Sequence, residues 1–105
     1  MKLWLDDIRP MPFDYDVHVK TVRYAIELLK TRLITEISLD NDLGSVSHDD
    51  SPTGEGRHVA NYIEWAAYKG LLPKLVWHIH TSNPVAQEAM ETALKRADIY
   101  WRIGA

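Results

Sequence analysis

The sequence predicts an α/β domain built on a mostly parallel sheet. Short apolar runs alternate with stretches of helical periodicity, the pattern of strands joined by crossover helices. Two pairs of acids, Asp6-Asp7 and Asp40 with Asp42, stand just past the ends of two of those runs. No internal repeat, low-complexity tract or linker interrupts the 105 residues, so residues 1–105 are read as one domain.

Residues 2–5 form a short buried strand ending at Asp6-Asp7. Pro10 and Pro12 keep residues 8–16 from forming a regular helix. A second strand covers residues 17–20. Thr21 is a plausible N-cap for a helix marked by Val22, Ala25, Ile26 and Leu29 and ending near residues 30–33. Residues 36–39 form a third strand with Asp40 at its C-terminal end, and residues 41–56 a long polar loop closed by Pro52, Gly54 and Gly56. Val59, Tyr62, Ile63 and Ala66 mark a second helix that Gly70 closes. Residues 75–79 form a fourth strand. Asn83-Pro84, a cap followed by proline at the first helical position, opens a third helix through Val85, Ala86, Ala89, Ala93 and Ala97. Residues 99–103 read as a fifth strand. The sheet is expected to be covered by helices on both faces.

Composition bounds the chemistry. An apolar fraction of 46 % with four tryptophans suffices for a real core, and the absence of cysteine excludes disulfides, thiolate metal sites and a cysteine nucleophile. No signal segment or membrane span is evident, so a soluble, cytoplasmic protein with no membrane partner is expected. The formal charge of −3 argues against broad binding to duplex DNA. It leaves open the recognition of a single phosphate or a nucleic-acid end by a few local groups.

In parallel sheets ligands sit off the carboxyl ends of strands, where the strand order reverses. If the first and third strands are neighbours, their acidic tips converge. Clustered carboxylates repel, and burial pushes them toward protonation unless a cation neutralises them. Oxygen donors without thiolates favour a hard ion, Mg²⁺ or Mn²⁺, beside phosphate. The competing reading is a set of solvated aspartates capping turns.

Leu5-Asp6-Asp7, the run from Ser38 to Gly44 and Thr81 after the fourth strand resemble the receiver domain of response regulators. The resemblance implies a flavodoxin-like three-layer sandwich, with a five-stranded sheet in the order 2-1-3-4-5. The first helix is reduced or absent, because residues 8–16 are too few for a crossover helix. It also implies Mg²⁺ held by Asp6, Asp7 and Asp40, with Asp42 contributing its backbone carbonyl. Thr81 would bind a phosphate oxygen. The lysine expected at the end of the last strand is missing, with Arg102 in its vicinity.

Leu5 to Pro10, Ser38 to Gly44 with Gly54 and Gly56, and His80 to Pro84 are similar to a divergent branch, the cyclic-phosphate-processing receiver family. That similarity implies action on a cyclic-phosphate nucleotide or an RNA 3′ end, with a metal-dependent phosphoesterase as the candidate activity. Asp40, His80 and Thr81 are then the candidate catalytic residues, and Arg9, Thr81, Ser82 and Asn83 the candidate phosphate ligands. His80 is the best acid or base by its intrinsic pKa, or else a histidine hydrogen-bonded to hold a loop. Arg9 either forks onto phosphate or pairs with a nearby aspartate. His78 reads as a packed histidine, His58 as capping a helix face and His48 as lining the site. Two other functions compete: a signalling receiver phosphorylated at Asp40, and a silent receiver used for protein interaction.

Overall fold

The computed structural model describes residues 1–43 and 55–104. Their elements are β1 (Lys2–Leu5), β2 (Val17–Val19), α1 (Val22–Lys30), β3 (Glu36–Leu39), α2 (Arg57–Tyr68), β4 (Val76–Ile79) and α3 (Pro84–Gly104). All strand pairs are parallel, in the order β2-β1-β3-β4. β1 and β3 are therefore neighbours, as the convergence of their acidic tips requires. No helix occupies the connection between β1 and β2.

The helix boundaries follow local chemistry. The Thr21 hydroxyl accepts the Tyr24 N–H at 3.2 Å and starts α1. Gly70, at φ +70°, ends α2 in the left-handed conformation that glycine adopts without strain. Asn83 Oδ1 accepts the N–H groups of Val85 and Ala86 at 3.1 Å each, with Pro84 in the first turn of α3.

The expected fifth strand is absent among the described residues, because residues 99–103 belong to α3. Met90, Ala93, Leu94 and Ala97 bury one helical stripe, which Tyr100 and Trp101 extend, and no breaker intervenes before Gly104. The periodicity overrides the strand-like composition of that run, leaving Ile99 and Ile103 exposed.

Three layers were expected, and the described residues form two. Leu3, Leu5, Ile37 and Leu39 point to one face and share a single core with the buried residues of all three helices. The register lines up the opposite face as His18, Trp4, Ser38 and His78 in one row and Lys2, Glu36 and Val76 in the next. That face is polar and aromatic, as in a half-covered sheet rather than a fully buried one. Its cover is the β1–β2 connection: Trp4 Nε1 donates to the Arg9 carbonyl at 3.3 Å, and Tyr15 packs edge-on against Trp4 at 5.3 Å. Among the described residues no helix is long and apolar enough to cross a membrane.

Candidate metal centre

The sheet continues its ladder one residue past the strands. Asp6 N–H donates to the Val19 carbonyl (3.1 Å), Asp40 N–H to the Leu5 carbonyl (3.0 Å) and His80 N–H to the Leu39 carbonyl (2.9 Å). This backbone alignment sets Asp6, Asp40 and His80 side by side across three strand ends. One carboxylate oxygen from each of Asp6, Asp7 and Asp40 lies within 4.8 Å of the others.

The three acids differ in what already holds them. Asp6 is 1 % exposed, and its oxygens are taken. Oδ1 accepts the N–H groups of Ile8 and Arg9 at 2.8 Å each, while Oδ2 lies 3.0 Å from His80 Nε2 and 4.0 Å from Arg9 Nε. Burial by itself raises the Asp6 pKa. The two N–H donors and His80 outweigh it and hold the carboxyl below its ordinary value. Asp40 shifts the other way: burial, then the charge of Asp6, raise its pKa against the single Asn41 N–H at 2.8 Å. Asp7 is half-buried, and its Oδ1 is buried with no partner among the described residues. An orphaned carboxylate oxygen is costly unless something cationic meets it. The all-oxygen donors, the convergence of charge and that orphan atom fit a hard divalent cation held by Asp7 and Asp40.

Asp42 does not join this cluster by its side chain. It is exposed, its Oδ1 accepts from Asn41 Nδ2 at 3.2 Å, and its backbone bridges to Glu55. Asn41, buried, fastens α2 to the site: its Oδ1 accepts the Arg57 N–H at 3.1 Å and its carbonyl the Gly56 N–H at 2.7 Å. Gly56 lies so close that a Cβ there would stand 1.8 Å from the Asp40 carbonyl oxygen.

Both ring nitrogens of His80 are engaged. Nδ1 is 2.7 Å from Ser38 Oγ and Nε2 faces Asp6. The ring stacks on Trp4 at 3.9 Å with planes 4° apart. Burial lowers its pKa, opposed by Asp6 and Asp40. Ser38, His80 and Asp6 thus form a chain that ends on the acid cluster, and Tyr15 packs beside it against Trp4. Sequence reasoning missed Ser38, Tyr15 and Trp4. A serine between Ile37 and Leu39 in a buried strand was the available signal for the first.

Arg9 pairs with Asp6 and donates from Nη1 to the His80 carbonyl, the second of its two expected arrangements. Thr81 follows His80 directly, and its Oγ1 accepts the Asn83 N–H at 3.2 Å, leaving its hydroxyl proton for another acceptor. Asn83 spends its side-chain oxygen on the α3 cap, so the N–H groups of Val85 and Ala86 are already taken. Ser82 is exposed. His78 is exposed rather than packed, 3.0 Å from Glu36 Oε2. His58 Nε2 is buried without a partner among the described residues rather than capping. His48, Gly44 and Gly54 lie outside the described residues.

No curated protein and no solved structure matches the chain. A family model does, that of the cyclic-phosphate processing receiver domain, over residues 1–96. With its acids gathered at the tips of β1 and β3, the chain belongs to that family.

Proposed function

We propose that the chain is a metal-dependent phosphoesterase that opens a cyclic phosphate, on an RNA 3′ end or a nucleotide. The observation that carries this reading is the convergence of three carboxylates around an Asp7 oxygen that nothing in the described protein satisfies. Asp7 and Asp40 would hold Mg²⁺ or Mn²⁺ directly, with Asp6 supporting them, and the Asp42 backbone carbonyl is a further candidate ligand. Bound there, the cation would neutralise charge developing on a phosphate oxygen.

The chain's own residues supply the rest. Thr81 offers a hydroxyl at the end of β4, and Arg9 a guanidinium beside Asp6. Ser82 and the Asn83 amide group are further candidate phosphate contacts. In the ring opening, a water oxygen bonds to phosphorus, one P–O(ribose) bond breaks, and the leaving oxygen gains a proton. His80 can deliver that proton only by letting go of Asp6 or Ser38, so its role in this reading is to hold Asp6 in place.

A signalling receiver phosphorylated at Asp40 is the weaker reading. The strand whose end would carry the charge-pairing lysine is a helix in the described residues. One experiment separates the readings: an RNA ending in a 2′,3′-cyclic phosphate is offered with Mg²⁺ or Mn²⁺, and a small acyl-phosphate donor is offered in parallel. Ring opening that Asp40→Asn abolishes supports the proposal. A stable acyl phosphate on Asp40, or inertness toward both compounds, overturns it.

A further inference from the structure

The acids occupy one end of the helical layer, and the other end carries a groove of about 800 Å³. Arg32, Lys69 and Lys74 line it together with Tyr68, Tyr100 and Trp101, and no carboxylate is part of its lining. Among the described residues none of the three cations has an ion-pair partner. Lys2, Arg9, Arg57, Lys95 and Arg96 each face an acid. A chain of net charge −3 thus sets three cations without ion pairs in one aromatic groove, the other such cations among the described residues, Lys20, Lys30 and Arg102, lying outside its lining.

Helix dipoles account for only part of this arrangement. Cations at a helix C-terminus offset the dipole, and Lys69 at the α2 cap and Arg32 just past the α1 cap stand there, as do Lys30 and Arg102. Lys74 lies in the connection before β4, outside any helix. Arg32 also has φ 65°, a left-handed conformation that strains a side-chain-bearing residue and that glycine or asparagine ordinarily fills. The fold keeps a long cation where a smaller residue would be less strained.

The rings are placed for stacking. Tyr68 is 65 % exposed, meets Tyr100 edge-on at 5.2 Å and has Lys69 Nζ 5.7 Å from its centroid. Trp101 is anchored by its Nε1 donating to the Leu72 carbonyl at 2.8 Å, which fixes the indole without burying it fully. Interleaved cations and aromatic faces are the chemistry that holds single strands, phosphates on the charges and bases on the rings.

We propose that this groove binds single-stranded RNA. At about 1.5 Å per residue, α2 separates Gly56, against Asp40, from Tyr68 by roughly 18 Å. A ligand that engages both ends of the helical layer is a polymer rather than a mononucleotide. The proposal rests on the cyclic-phosphate reading only for what happens at the acidic end, and the groove itself is testable without it.

The test is fluorescence anisotropy with a labelled single-stranded RNA of about twelve nucleotides bearing a plain 3′ hydroxyl, in EDTA, so that the acid cluster is not engaged. Binding is expected, weakened about a hundredfold by a tenfold rise in salt, the slope for three phosphate contacts on a single strand. Lys69→Glu with Lys74→Glu is expected to lower affinity more than tenfold, and Tyr68→Ala about tenfold. Retained circular dichroism confirms that the variants fold, and Lys74→Gln serves as a milder second variant. Absence of binding overturns the proposal, as does equal binding of polyglutamate or of an abasic strand. So does sedimentation showing that the patch instead pairs two copies of the chain. Since cyclic phosphate and metal are both left out, failure here leaves the acidic site's reading untouched.

Discussion

His80 and Asp6, 74 positions apart in the chain, meet at 3.0 Å between Nε2 and Oδ2. An ionised carboxylate only accepts, so Nε2 carries the proton. The neutral ring then takes a hydrogen bond at Nδ1 from the Ser38 hydroxyl. One tautomer is thereby fixed, and the imidazole becomes a brace between the middle of β3 and the first acid of the cluster.

Removing that brace has a measurable cost. His80→Ala strands Asp6 Oδ2 and the Ser38 hydroxyl in a buried place, a loss of about 1–3 kcal/mol in chemical unfolding. Ser38→Ala removes the hydroxyl and leaves Nδ1 unpaired, with a loss of about 1 kcal/mol. Ser38→Thr keeps the hydroxyl and is expected to recover most of that loss.

The pH profile follows from the directions of shift. His80 has a folded pKa below its ordinary value, so the unfolded chain takes up its proton more readily. Its contribution to stability is complete above the ordinary histidine value and declines as pH falls through the folded one. Asp6 is also depressed, so its contribution is present above its ordinary value of 3.8 and is lost as pH falls toward the lower folded one. Thermal unfolding followed from pH 8 to pH 3 should show both declines. The upper one should vanish in His80→Gln.

Asp40 carries the opposite sign. Its raised pKa means that the ionised group, near Asp6, destabilises the metal-free fold at neutral pH. Asp40→Asn keeps an oxygen for the Asn41 N–H and is expected to raise Tm without metal, by roughly 4–8 °C per kcal/mol of repulsion relieved. The same variant should lose the further rise that Mn²⁺ or Mg²⁺ gives the unaltered protein, about 2.7 kcal/mol at a hundred times Kd. Calorimetric scans with and without the ion measure both effects.

Gly56→Ala tests the seating of α2 against β3. A methyl group 1.8 Å from the Asp40 carbonyl oxygen requires the backbone to shift. Overpacking of this kind costs about 1–3 kcal/mol. The displacement is also expected to weaken Mn²⁺ binding, read by isothermal titration.

Asn83→Ala separates capping from ligand binding. Loss of the α3 cap should lower stability by about 1 kcal/mol. A merely capping Asn83 leaves the affinity for inorganic phosphate unchanged, and a drop there would assign it a direct contact.

Much of the fold was legible because its punctuation is chemical. Asp6 and Asp40 end their strands abruptly, Thr21 and Asn83 cap helices with the hydroxyl and the amide, and Gly70 takes a positive φ. Residues 99–103 misled because their branched and aromatic composition suits a strand, while the stripe that decided the matter begins further back at Met90 and Ala93. The sheet face without helices is written in the alternation of Lys2, Trp4, Glu36 and Ser38 with their apolar neighbours. The expectation of two helical layers overrode that signal, because parallel sheets are ordinarily covered twice. In the site, the acids were visible by their place at strand tips. The roles of Ser38 and Tyr15 were not, since nothing in local spacing says which hydroxyl will face a histidine 42 positions later.

Among the described residues β4 has β3 as its one strand neighbour, so alternate amides along Val76–Ile79 point outward with no ladder partner there. Amide deuteration should therefore reach β4 well before β1 and β3. Thr81 hangs directly from that margin. Thr81 thus sits at an edge of the sheet, while Asp6 and Asp40 follow its two central strands, so a phosphate bound as proposed would span margin and centre.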